Sequence, residues 1–227
     1  DPLFSAQWAL KNTGQNQGTA GIDINYLPAR EVTQGSSDII VAVLDHGTQL
    51  DHPDLNVSSK SYDTETGRSP SQIWGNHGTA CSGIISAKTN NNLGVAGIAP
   101  NCPVMSISNQ LMGTSDAPQK RADGFNWAWR NGASVISNSW RSSTFSELLE
   151  DAIQSAMTNG RNGLGCVVTF SAGNYDSNTV GYPARSLPDI IVVGALSLSG
   201  KRKSSTTIDN EGWWGSDYGT QLDIMAP

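Results

Sequence analysis

The sequence predicts an α/β fold: three layers, with a mostly parallel central sheet flanked by helices on both faces. Three observations carry this. Runs rich in Val and Ile alternate along the chain with segments of helical periodicity. Those runs are continuous rather than alternating in polarity, as strands covered on both faces must be. Finally, 37% hydrophobic residues in a 227-residue chain suffice for one sizeable core, so residues 1–227 are expected to form a single domain.

Each element has its own justification. Residues 39–44 (IIVAVL) read as a fully buried strand bounded by Ser36-Ser37 and Asp45-His46-Gly47. Residues 77–88 place small residues on a helical repeat, and 104–108 (VMSIS) make a short strand. A helix over 120–132 ends at Gly132, a good C-terminal stop because glycine accepts a left-handed backbone. Residues 133–140 return as a strand. The clearest helix covers 144–160, with Thr144 and Glu147 as its capping box and Leu148, Leu149, Ala152, Ile153, Ala156 and Met157 as its apolar stripe. Strands follow at 166–172, 190–195 and 222–225. Residues 198–219 form a long polar excursion whose Lys201-Arg202-Lys203 run reads as solvated.

Composition excludes several functions. The net charge is −6, whereas a nucleic-acid partner requires a basic face. No apolar run approaches a membrane span. The three cysteines, Cys81, Cys102 and Cys166, cannot close an intrachain disulfide set, and no C-x-x-C motif suggests zinc. Cys81 and Cys166 sit in apolar periodic segments and read as small buried hydrophobes. No G-x-G-x-x-G follows the first strand; Asp45 stands there and would repel phosphate, which disfavours a dinucleotide-binding domain.

In open α/β sheets the chemistry sits beyond the carboxyl ends of the strands. Asp45, His77, Ser139, Trp140, Gly173 and Asn174 come from distant segments and would converge on that rim. A strand-end carboxylate can fix an imidazole in one tautomer. A His at a helix start has a rigid backbone, and Gly78 after it allows close approach. An Asn in a Gly-Asn turn can aim its amide at a developing oxyanion. Each alone has a commoner explanation, as a turn residue or a structural histidine. Together, VAVLDHG, DHPDL, NHGTACSGIISA, NNNLGVAGIAP, VISNSW, VVTFSAGNYD, IIVVGA and LDIMAP resemble the subtilisin-like serine proteases, the subtilase family, with some kexin-like and proteinase K-like features. The resemblance covers essentially the whole chain.

That resemblance implies a three-layer subtilisin-like peptidase domain and a serine endopeptidase. Asp45 would orient His77, His77 would act as general base and then acid, and Asn174 would donate to the oxyanion. These are roles established for subtilisin itself. Ser139, Trp140 and Arg141 would line an extended peptide, with Ser171, Ala172 and Gly173 walling the pocket for the side chain before the cut. In the family, MAP is followed, after a short connection, by Gly-Thr-Ser and a helix, and that Ser is the nucleophile. The fold is therefore expected to lack its C-terminal part, with the nucleophile beyond Pro227 and the 227 residues inactive alone. Within the chain, Gly113-Thr114-Ser115 mimics the nucleophile motif but lies after the third strand, and Ser82 points wrongly for attack.

Two departures from the family pattern stand out. His46 takes a place usually held by Ser, Thr or Asp, and reads either as a surface His beside the cleft or as a substrate contact. Arg141 replaces a Gly, which would narrow the pocket rim or charge it positively. Cys81 resembles the thiol beneath the active-site His of proteinase K-like and kexin-like members, which would confer sensitivity to mercurials. The run Thr89-Asn-Asn-Asn-Leu-Gly-Val95 resembles the family's calcium loop. The implied structural Ca²⁺ would take Asn91 by its side chain, Thr89, Leu93 and Val95 by their carbonyls, and Asp54 by its carboxylate, plus a ligand from the N-terminal segment that the sequence does not locate. The alternative is a polar turn that binds nothing, since the loop is one residue longer than the pattern, at Lys88. The expected partners are an extended polypeptide substrate and a pro-segment or C-terminal fragment, with no nucleic acid and no membrane. The expected state is a secreted or extracytoplasmic monomer. The second reading is a non-catalytic peptide-binding module.

Overall fold

The structure, a computed structural model, describes residues 1–209 and 211–227. Seven strands form one sheet: β1 (Ile40–Asp45), β2 (Tyr62–Asp63), β3 (Val104–Ser108), β4 (Ala133–Asn138), β5 (Val167–Ser171), β6 (Ile191–Ala195) and β7 (Ile224–Ala226). Every strand pair is parallel, in the order β2-β3-β1-β4-β5-β6-β7. The α/β fold with a parallel sheet is thus as expected. β2 escaped the sequence because two residues, Tyr62 and Asp63, carry no apolar run.

Four helices accompany the sheet: α1 (Tyr26–Val32), α2 (His77–Ser86), α3 (Ala117–Arg130) and α4 (Glu147–Gly163). Strand alternation explains their placement. Ala42 and Leu44 of β1 join Phe125 of α3, Leu149 and Ile153 of α4, and Phe170 of β5 in the main core. Val41, Val43 and Asp45 point to the opposite face, where α2 packs on β1 and β3. Beyond β4 that second face is open: Val167, Ile191 and Ile224 are exposed by 40%, 39% and 57%. Asp45 therefore lies on the helix α2 side because it is odd in register with the buried valines.

The helix boundaries differ in detail from expectation. α3 begins at Ala117 with Pro118 in its first turn, where the missing N–H costs nothing. It ends at Arg130, with Asn131 and then Gly132 at φ +100°. α4 is capped by Ser146, whose hydroxyl accepts the Leu149 N–H at 3.3 Å; the Thr144–Glu147 capping box is not formed. The Thr144 N–H instead donates to Ser142 Oγ. Leu149, Ala152, Ile153 and Ala156 are buried, while Leu148 is 47% exposed. Gly160 leaves helical dihedrals and breaks the helix as its type allows.

The polar excursion is not a solvated basic run. Lys203 is 2% exposed. Its Nζ donates to the carbonyls of Ser204, Glu211 and Trp214 at 2.9, 2.9 and 3.1 Å. Arg202 donates to Asp176 Oδ1 and to the Ser216 carbonyl. Local charge density in the sequence did not reveal partners that meet only when the loop folds back.

Candidate active site

β1 ends on Asp45, which is fully buried, and α2 begins on His77. His77 Nδ1 lies 2.9 Å from both Asp45 oxygens. A carboxylate only accepts, so Nδ1 carries the proton, and Nε2 is left as the basic nitrogen. Asp45 Oδ1 also accepts the His46 N–H at 2.7 Å, which locks the carboxylate's orientation. The approach of α2 to β1 requires Gly78: a Cβ there would stand 2.5 Å from the Gly47 carbonyl oxygen. The His77 side chain is about half exposed, so the ring is held from behind and open in front.

Cys81, one turn along α2, places its Sγ 3.7 Å from His77 Nδ1. It is half-buried rather than a core residue, unlike Cys166. Burial and then the Asp45 charge push the thiol up, against a smaller pull from the Ser139 hydroxyl. A thiol so protonated is a poor nucleophile at neutral pH. Asp45, His77 and Cys81 form a compact group among the described residues. His46 stands edge-on to His77, ring centroids 6.2 Å apart. Ser82 is buried; its hydroxyl donates to the Gly78 carbonyl and meets Thr48, facing away from the cleft.

The other candidates separate into two cavities and the core. Ser139, Ser171, Ala172, Gly173 and the exposed Asn174 line a cavity of about 380 Å³ on the α2 side of the sheet. Arg141 lines a second cavity of about 240 Å³. Its guanidinium lies 4.2 Å above the Tyr175 ring. Trp140 lines neither; its indole is 6% exposed and packs edge-on against Phe170 at 5.0 Å, because the residue after the strand turns inward. Any contact of Trp140 with a peptide is left to its backbone. Ser115 sits at the foot of α3, before its N-cap Asp116.

In the 89–95 loop, Asp54 is 4% exposed. Its oxygens accept from the Asn91 amide at 2.7 Å and from the Val95 N–H at 3.3 Å. Among the described residues, the carbonyls of Thr89, Leu93 and Val95 accept no hydrogen bond. From the N-terminal segment Asp1 reaches the same loop, its carboxylate accepting the N–H groups of Asn90 and Asn91 at 2.9 and 3.0 Å. Two buried or clamped carboxylates, an Asn side chain and free carbonyls form an oxygen set that fits Ca²⁺.

The described residues contain no helix long and apolar enough to cross a membrane. Comparison with known proteins identifies the family. The sequence profile of the subtilase family matches residues 36–227. A thermophilic serine proteinase of Bacillus sp. is 34% identical over 99% of this chain and 53% of its own length. A subtilisin of Bacillus pumilus is 34% identical over 84% of this chain and 65% of its own. A calcium-dependent protease of Nostoc sp. is 31% identical over 92% of this chain and 34% of its own. This chain thus spans about half the length of the Bacillus proteinase it resembles. Among solved structures, a protease of Pseudoalteromonas arctica superposes with a TM-score of 0.78 at 27% identity, covering all of this chain and 71% of the other. The fold, the buried Asp–His pair and these similarities agree that the chain belongs to the subtilase family.

Proposed function

We propose that the chain is the larger part of a serine endopeptidase domain, one unit over residues 1–227, that cuts extended polypeptides. The observation that carries this is the 2.9 Å pairing of buried Asp45 with His77 at the sheet's carboxyl rim. A buried carboxylate holding one imidazole nitrogen leaves the other to take a proton from a nucleophile and return it to the leaving amine. Asn174 donates to the oxyanion from the rim of the larger cavity. Among the described residues no hydroxyl hydrogen-bonds to the His77 ring. The nucleophile is therefore proposed as a serine in residues that follow Pro227 in a longer protein. A secreted or extracytoplasmic enzyme, with a pro-segment or a C-terminal fragment as its partner, is part of the same reading. Asp54, Asn91, Asp1 and the carbonyls of Thr89, Leu93 and Val95 would hold a structural Ca²⁺, which would supply rigidity to the loop leaving α2.

The test is labelling with a fluorophosphonate, which reacts only with an activated serine. A polypeptide of these 227 residues stays unlabelled, one continued past Pro227 labels stoichiometrically, and His77→Ala removes the label. Labelling of Ser115 in the short polypeptide would reject the assignment of the nucleophile. A longer protein that never labels yet retains peptide affinity would favour a binding module.

A further inference from the structure

The smaller cavity, about 240 Å³, has chemistry that the proton-transfer site does not use. Arg121 of α3 lines it and is 2% exposed. Its guanidinium lies 4.8 Å above the Trp140 ring. One terminal nitrogen donates to the Met112 carbonyl at 3.2 Å, and Nε has no partner. Among the described residues no carboxylate lies within 4 Å of it. The acid whose charge it feels, Glu65, is already committed to Lys120 at 2.7 Å and to the Gln110 N–H. Arginine does not give up its proton in proteins, so this is a buried cation whose enclosed Nε–H has no acceptor among the described residues. Burial without an acceptor for Nε disfavours the charge through lost solvation.

A second guanidinium lines the same cavity. Arg141 is stacked on Tyr175, and its nearest acid, the buried Asp217, stands 3.7 Å away, beyond hydrogen-bond distance. Thr114, Ser142 and Thr144 complete a polar wall. Two cations, one of them paired with Asp217 only at 3.7 Å, and several hydroxyls describe a receptor for a carboxylate.

We propose that this cavity is an acid-selective subsite, taking the side-chain carboxylate of a Glu or Asp in the bound peptide between Arg121 and Arg141. The proposal rests on the endopeptidase reading for its substrate class. Its place follows from the chain: Arg141 lies two residues beyond Ser139 on the edge proposed to receive the peptide. In an extended peptide, side chains two residues apart share a side, about 6.6–6.8 Å apart, so an edge can feed two cavities at once. Charge-assisted bonds to a planar guanidinium are strong and directional, which suits discrimination between an acid and its amide.

The experiment uses the full-length protein and peptide pairs that differ only by Glu or Gln, with the substitution moved one position at a time. Cleavage is read as kcat/KM, and binding is read by titration calorimetry on the His77→Ala protein. One position is expected to favour Glu by about tenfold or more, with the preference shrinking at high salt. Arg121→Met should abolish the preference. Because Arg121 is a buried residue of α3 and its loss disturbs packing, Arg141→Ser, at an exposed residue, provides an independent reduction. Equal affinity for Glu and Gln at every position, or a preference that survives both replacements, overturns the subsite. Peptides cleaved without preference would leave the peptidase standing and remove this proposal. Peptides bound with the preference but never cleaved would do the reverse, and peptides neither bound nor cleaved would remove both.

Discussion

Asn174 illustrates what one side chain can be asked to do. It is exposed and follows Gly173, which has φ +118° and so holds the turn that presents the amide to the cavity. In the proposed oxyanion role the amide's bond would strengthen only as the carbonyl oxygen gains charge, so it would act on the transition state more than on the bound peptide. Asn174→Ala in the full-length protein should lower kcat by about 100- to 1000-fold with little change in KM, a size established for subtilisin's own oxyanion amide rather than obtained from this geometry. Steady-state kinetics on one peptide checks it; a change confined to KM would move Asn174 from oxyanion donor to ground-state contact. The places of Asp45, His77 and Asn174 were legible in the sequence because each closes or opens a local feature, at a strand end, a helix start and a tight glycine turn. The inward turn of Trp140 and the half-exposed position of Cys81 were not, since both depend on which way a neighbouring element faces.

At the scale of elements, the excursion between β6 and β7 braces the wall that carries Asn174. Asp217 Oδ1 accepts the N–H groups of Tyr175 and Ser177, both at 2.9 Å, and the Asp217 N–H donates to the Gly173 carbonyl. Lys203 holds the excursion together, pairing with Asp209 at 3.4 Å. Burial opposes ionisation of Asp209, yet the Thr207 hydroxyl, the Glu211 N–H and Lys203 outweigh it and hold the carboxyl below its usual range. A carboxyl depressed in the folded state contributes stability that is full above its unfolded value, about 3.9. That contribution is lost as pH falls through the lower folded value. The excursion should therefore loosen below about pH 4. Lys203→Met should cost on the order of 3 kcal/mol at neutral pH, because three carbonyls and Asp209 lose one buried donor. It should also flatten the acid dependence of thermal unfolding, measured between neutral pH and the acid range. A variant with unchanged stability at both ends would mean that the loop contributes nothing. A run of three cations cannot show this from sequence, whereas the Val/Ile strands and the amphipathic α4 could be read directly, because periodicity encodes burial and not partnership.

Across the whole molecule, the N-terminal segment, the 89–95 loop and α2 are mechanically joined. Leu3 N–H donates to the Gly94 carbonyl, Gln7 exchanges two hydrogen bonds with Ala96, and Tyr26 Oη donates to the Gly97 carbonyl. The loop leads directly from the far end of the helix that His77 begins, and the Gly97 N–H returns to the Ala87 carbonyl. A cation that gathers Asp1, Asp54 and Asn91 would therefore reinforce the tie between the chain start and the helix that His77 begins. Binding to the folded state alone stabilises by about 2.7 kcal/mol at a hundredfold excess over Kd. For a protein of this size that corresponds to a rise in Tm of roughly 5–11 °C. Calcium added to the metal-stripped protein should produce such a rise, and a chelator should reverse it. Asp54→Asn should remove most of the effect, since it takes a charge from the oxygen set. Asp1→Asn should weaken it less, because Asp1 also anchors backbone N–H groups that an amide oxygen can still accept. If calcium leaves Tm unmoved in the unaltered protein, the loop is held by its own hydrogen bonds. If the rise persists undiminished in both variants, the cation sits elsewhere, and the link from chain start to His77 must rest on the backbone contacts alone.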